Sequence, residues 1–197
     1  MKAAKNIVIV GVGGQGILLI SDVAVQVALE EGYDVKKSEV HGMAQRGGSV
    51  ISEVRFGEVV YSPLVRKGTA DIMIALERLE AARFSDYLAP QAVAVVNDLA
   101  IAPLGVSLGK ERYPADVFKH LTREGLRLVR ARGADIARSA GNMRTVNVAL
   151  LGIASSFMPF SQESWEEQLT KRVPRASLSA NLRAFQIGRL LGEKEAV

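Results

Sequence analysis

Apolar positions in this chain fall into two kinds of run. Asn6-Ile7-Val8-Ile9-Val10 and Asp71-Ile72-Met73-Ile74-Ala75-Leu76, each after its polar first residue, and Ala92 to Val96 are apolar at successive positions, as expected of strands covered on both faces. Ile17 to Leu29 steps instead at helical spacing and meets a stop signal at Gly32. Tyr33 to Ser38 predicts a second strand, so the chain opens with a βαβ unit, which implies a parallel sheet and a right-handed crossover. Val50 to Phe56 alternates apolar with polar, and Val59-Val60-Tyr61 follows across Gly57-Glu58. That spacing predicts a half-exposed β-hairpin inserted into the parallel order.

Glu77 to Tyr87 predicts a short helix before Pro90, and Ile101 to Tyr113 reads as loop. Pro114 to Arg123 predicts a helix with proline in its first turn. Leu126 to Ala131 predicts a last strand and Ala134 to Ala140 a short helix. Asn142 to Phe157 is apolar around its whole circumference, the mark of a helix buried in the core or against another protein. Gln162 to Val173 and Leu178 to Leu191 are charged amphipathic helices. Strands alternating with helices, then helices alone, predict an α/β fold of three-layer α/β/α, Rossmann-like type. Its sheet is mostly parallel with an inserted β-hairpin. The expected organisation is one domain over 1–197, with an α/β core at 1–157 and a helical C-terminal extension at 158–197.

Composition narrows the chemistry. The chain has no cysteine and only two histidines, His41 and His120, which leaves no cysteine nucleophile, no cysteine-ligated cluster and no usual zinc ligand set. The net charge of +4 is mild and the aromatics are few, so nucleic-acid binding is not expected. No apolar run reaches the ~18 residues of a membrane span, and strand and glycine turn follow Met1-Lys2-Ala3-Ala4-Lys5 directly. The expectation is a cytoplasmic protein without a signal peptide.

Two segments carry candidate chemistry. Gly11-Val12-Gly13-Gly14-Gln15-Gly16 lies between the first strand and the first helix, and Gly11, Gly13 and Gly16 match a Gly-x-Gly-x-x-Gly turn. Such a turn lets a phosphate approach the backbone and the N–H groups of the helix start. Asp34 or Glu39 could hold a ribose hydroxyl if the ligand were a dinucleotide. The plainer reading is a tight turn that packs strand against helix. The second segment, Ser38-Glu39-Val40-His41-Gly42-Met43-Ala44-Gln45-Arg46-Gly47-Gly48-Ser49, follows the second strand. His41 could move a proton near neutral pH, and Arg46 could fork onto a carboxylate or phosphate. With Gln45 they are the candidates for a catalytic role, against a purely structural or interface role.

Together these segments closely resemble the gamma-type module of the 2-oxoacid:ferredoxin oxidoreductases. Arg46-Gly47-Gly48 is similar to an element shared across its branches, and His41-Gly42-Met43-Ala44-Gln45 is similar to the arylpyruvate (indolepyruvate) branch. The resemblance implies oxidative decarboxylation of an aryl 2-oxoacid with coenzyme A, giving an aryl-acetyl-CoA, carbon dioxide and reduced ferredoxin. It also implies that thiamine diphosphate, Mg2+ and the 4Fe-4S clusters reside in a large alpha subunit, with ferredoxin met through the complex. Gly11, Gly13, Gly14, Gln15 and Gly16, with Gly47 and Gly48, then become the candidate cofactor-binding positions: the glycine turn and the His41 to Gly48 loop would help form the active-site wall, and the turn would be the contact for coenzyme A, whose diphosphate suits it. Two other readings stand beside it: a free-standing dinucleotide-binding dehydrogenase, and a scaffold module with no catalytic role. Arg123, Arg127, Arg130, Arg132 and Arg138 read as a solvated face or a patch that steers an anion. Asn142 reads as a helix cap, and Asn147 as a satisfied buried amide or a residue that faces a ligand.

Overall fold

The computed structural model describes residues 4–42, 48–122 and 124–196. Six strands form one sheet: β1 (Lys5–Val12), β2 (Asp34–His41), β3 (Ser49–Gly57), β4 (Ala70–Ala75), β5 (Leu88–Asn97) and β6 (Arg127–Ala131). Their order is β2-β3-β1-β4-β5-β6. β1, β4, β5 and β6 pair in parallel, while β3 pairs antiparallel with both β1 and β2. The α/β, mostly parallel reading holds.

The helices are α1 (Ile17–Glu30), α2 (Arg78–Arg83), α3 (Leu104–Ser107), α4 (Val117–Leu121), α5 (Gly133–Ala140), α6 (Val146–Ser155), α7 (Gln162–Arg172) and α8 (Leu178–Ala196). Alternate residues of each strand face opposite ways. Ile7, Ile9, Ile72 and Ile74 join a core with α1, α5, α6, α7 and α8. Val8, Val10, Met73 and Ala75 join a smaller one with Ala81 of α2 and Leu121 of α4.

The predicted hairpin has a different partner. β3 pairs along its length with β2 and β1, and Val59-Val60-Tyr61 forms no strand. β1 and β2 are therefore parallel members of one sheet, but β3 lies between them. The alternation in β3 arises from its two different coverings. Val50, Val54 and Phe56 enter the larger core. On the other face, Glu53 accepts the Val65 N–H at 2.9 Å, and Arg55 donates to the Ser62 carbonyl at 2.8 Å. The polar positions hold down the segment after β3, with Val60 and Val65 buried beneath it.

α6, apolar nearly all round, is buried within the chain itself: Asn147 to Ser155 are all buried. Its cover is α8, and the two backbones touch. A Cβ on Gly188 would overlap the Ala149 carbonyl oxygen, and one on Gly152 would overlap that of Phe185. Farther along, Phe160 packs on Tyr33, Phe56 and Trp165, and Trp165 on Phe185, which fastens α7 and α8 to the sheet layer. Among the described residues no helix is long and apolar enough to cross a membrane.

Candidate functional site

In an open α/β sheet, ligands bind beyond the carboxyl ends of the strands, where neighbouring connections run opposite ways. Here the chain leaves β1 toward β2 on one side, and leaves β4 toward β5 on the other. A cavity of about 590 Å³ opens at that point. Gly14, Gln15 and Gly16 of the glycine turn line it, with Leu76 and Asn97 from the strand ends and Arg132, Gly133, Arg144, Val146 and Asn147 from the segments around α5 and α6.

The glycine turn is held by its own glutamine. Gln15 Oε1 accepts the Val12 N–H at 2.7 Å, and its Nε2 donates to the Leu76 carbonyl at 3.2 Å. Gly16, with φ 78°, begins α1 without a side-chain cap, and no acidic residue sits in the first turn. The first N–H groups of that helix therefore present partial positive charge at the cavity wall. Gly14 has φ 96° and open space where a Cβ would stand, so its backbone is the approachable part of the turn. Gly11 and Gly16 have another duty: a Cβ on Gly11 would lie 2.6 Å from Gln15 Oε1, and one on Gly16 would overlap the amide of Asn147.

Asn147 takes the ligand-facing alternative rather than that of a satisfied amide: it lines the cavity. It is 5% exposed. Its Nδ2 donates to the Gly16 carbonyl at 3.1 Å, which fixes the amide orientation, yet Oδ1 has no partner among the described residues. A buried acceptor left unpaired costs about 1–3 kcal/mol, so this one is suited to receive a donor from a ligand. Asn147 is thus half satisfied rather than satisfied. Asn142 does cap, accepting the Arg144 N–H at 3.0 Å. Asn97, the last residue of β5, also lines the cavity.

The other predicted residues are dispersed. Gly13 and Gly48 do not line the cavity, but the Gly13 N–H donates to the Gly48 carbonyl at 2.9 Å, so the two sequence motifs meet. His41 ends β2, exposed, with Nε2 3.7 Å from Glu39 Oε2 and away from the cavity. Gln45, Arg46 and Gly47 lie outside the described residues. The dinucleotide acids do not serve. Asp34 begins β2, at the opposite end from the cavity, and is occupied by the Val60 N–H at 2.8 Å and by Lys36, which hold its carboxyl below its usual range. Glu39 is paired with Lys37 on an edge strand that β3 separates from β1. Of the arginines, Arg132 shares Asp135 with Arg138. Arg130 pairs with Asp98 at 3.1 Å and stacks on Phe118, its guanidinium 4.2 Å from the ring centre.

The fold is an α/β domain with a cavity at its switch point, lined by the glycine turn, by Arg132 and Arg144, and by Asp98 and Asp135. A family profile described as pyruvate ferredoxin/flavodoxin oxidoreductase matches residues 6–191, and the chain belongs to that family. It is 42% identical to the indolepyruvate oxidoreductase subunit IorB of Thermococcus kodakarensis, over 93% of each chain. The solved keto/oxoacid ferredoxin oxidoreductase gamma subunit of Geobacter sulfurreducens superposes with a TM-score of 0.74 at 23% identity, covering 95% of this chain and 98% of that one. The 2-oxoglutarate:ferredoxin oxidoreductase of Magnetococcus marinus, solved with 2-oxoglutarate, coenzyme A and succinyl-CoA bound, superposes with a TM-score of 0.76 at 21% identity. The match covers 98% of this chain and 32% of that one. The chain is therefore a small subunit of a 2-oxoacid:ferredoxin oxidoreductase, and the free-standing dehydrogenase reading is not favoured.

Proposed function

We propose that this subunit serves an arylpyruvate:ferredoxin oxidoreductase of the indolepyruvate type and supplies part of its coenzyme A site. The observation that carries the reading is the unpaired, buried Asn147 Oδ1 beside the uncapped start of α1, in one cavity. Coenzyme A brings a diphosphate for the helix start and for Arg132 and Arg144, and amide N–H groups for an unpaired acceptor. Leu76, Leu99, Met143 and Val146 supply the apolar lining that the methylene arm of such a ligand needs.

Thiamine diphosphate, Mg2+ and the 4Fe-4S clusters are assigned to a large partner subunit, because the donors here do not suit them. The sequence has no cysteine for iron. Among the described residues no three His, Asp or Glu side chains gather as a metal site. The thiamine cofactor supplies the decarboxylation chemistry; this chain's residues bind and orient the acyl acceptor.

The test is purification of the subunit with its partner under anoxic conditions, then an assay for ferredoxin reduction that requires both an arylpyruvate and coenzyme A. Asn147→Leu in that complex should raise KM for coenzyme A by roughly 5- to 100-fold, the equivalent of a lost hydrogen bond to a buried group. Activity indifferent to coenzyme A, or an unchanged KM, refutes the assignment.

A further inference from the structure

Three amide side chains surround the cavity, and each fills the space left by a glycine's missing Cβ. Gln15 lies against Gly11, Asn147 against Gly16, and Asn97 against Gly133, where a Cβ would stand 2.7 Å from Asn97 Oδ1 and 2.9 Å from Val146 Cγ1. Two of the amides converge on one atom. The Leu76 carbonyl, at the end of β4, accepts Gln15 Nε2 at 3.2 Å and Asn97 Nδ2 at 3.1 Å. The opposite end of the Asn97 amide, Oδ1, accepts the Gly133 N–H at 3.1 Å, at the first residue of α5. Asn97 is 4% exposed, so neither bond is shared with solvent.

We propose that Asn97 is a positioning residue for the ligand of this cavity. It ties the glycine turn, through the Leu76 carbonyl and Gln15, to the start of α5. α5 begins without a side-chain cap of its own, and its N-cap is Arg132. The β5–β6 pairing and the Asp98 N–H, which donates to the Ala131 carbonyl at 2.7 Å, bring the chain as far as Ala131, and from there one buried amide holds the first helical N–H. The entry to α5 carries Arg132, Gly133 and Ala134 into the cavity wall. Asn97 needs no contact with the ligand to matter. It sets the distance between the two helix starts that flank the ligand, and a shift there alters binding while leaving chemistry on the partner subunit untouched.

The proposal rests on the coenzyme A reading, and its test separates the two. Asn97→Asp and Asn97→Leu are compared in the assembled enzyme, with coenzyme A and the arylpyruvate varied in turn and Asn147→Leu run in parallel. Aspartate keeps the acceptor for Gly133 and loses the donor to Leu76; leucine loses both. The expected result is a KM for coenzyme A raised several-fold by aspartate and tenfold or more by leucine, with kcat and the arylpyruvate KM within twofold. Gly133→Ala, which presses on the same amide from the other side, should raise the same KM and decides the matter if the leucine variant does not assemble. Assembled variants with an unchanged KM overturn the proposal, as does a fall in kcat alone, the sign of general damage. If Asn147→Leu shifts a constant other than the coenzyme A KM, the ligand assignment fails. Asn97 must then shift that same constant or lose its role.

Discussion

Replacing Gly188 by alanine probes the contact on which the helical layer depends. Gly188 lies on α8, where a Cβ would overlap the Ala149 carbonyl oxygen and stand 3.1 Å from its carbon and 3.2 Å from the Ile153 nitrogen. Ordinary carbon–oxygen contacts are about 3.3 Å or longer, so the two helices must separate by roughly 1 Å. Backbone cannot rotate aside, which puts the overpacking cost near the upper end of its usual range, about 3 kcal/mol. Alanine recovers about 1 kcal/mol through its better helix propensity. The net loss is about 2 kcal/mol, or a Tm lowered by roughly 4–8 °C for a chain of this size. Thermal denaturation followed by circular dichroism reads this directly. A Tm equal to or above that of the parent would mean that propensity prevails and that α6 and α8 are not in backbone contact.

Three further outcomes are expected. Burial pushes the Glu53 carboxyl up, so the folded chain holds its proton more tightly than the unfolded chain. That contribution is full at acid pH and is lost as pH rises through the raised value. Glu53→Gln, which cannot ionise, should show a smaller fall in Tm between about pH 4 and pH 7; parallel curves for the two proteins would contradict this. Tyr113 donates its hydroxyl to Glu77 Oε1 at 2.7 Å, on the oxygen that also takes the Ile101 N–H at 3.0 Å, and burial and that carboxylate push the phenol up. Tyr113→Phe should cost about 1 kcal/mol and speed amide exchange at Ile101, and unchanged exchange would show that the tether carries no load. Arg46→Ala should lower turnover of the assembled enzyme without unfolding the subunit, as steady-state kinetics beside a melting curve would establish.

Much of this architecture was legible because the buried strands are continuous apolar runs. Ile7 to Val10 and Ile72 to Ala75 have core on both faces, and their sequences say so. β3 misled because alternation normally marks a wet face. In this strand Glu53 and Arg55 face a covering segment of chain, whose backbone polar groups they satisfy. The sheet order was hidden for a related reason: strand–helix–strand implies a parallel pair, and nothing local tells that a third strand enters between them. The glycine turn was found at the right place, but two of its glycines make room for amides, a role fixed by residues as distant as Asn147. Asn97 and Asn147 look alike in sequence. Only their partners distinguish a tie from an open acceptor.

Amide hydrogen exchange on the assembled enzyme, with and without coenzyme A, tests the central claim most directly. The account predicts slowed exchange at residues 14–20, 132–136 and 143–148 on adding coenzyme A, with β2 and the 58–66 segment unchanged. Coenzyme A that protects none of these three stretches, while still supporting turnover, would place its site elsewhere in the complex and contradict the account.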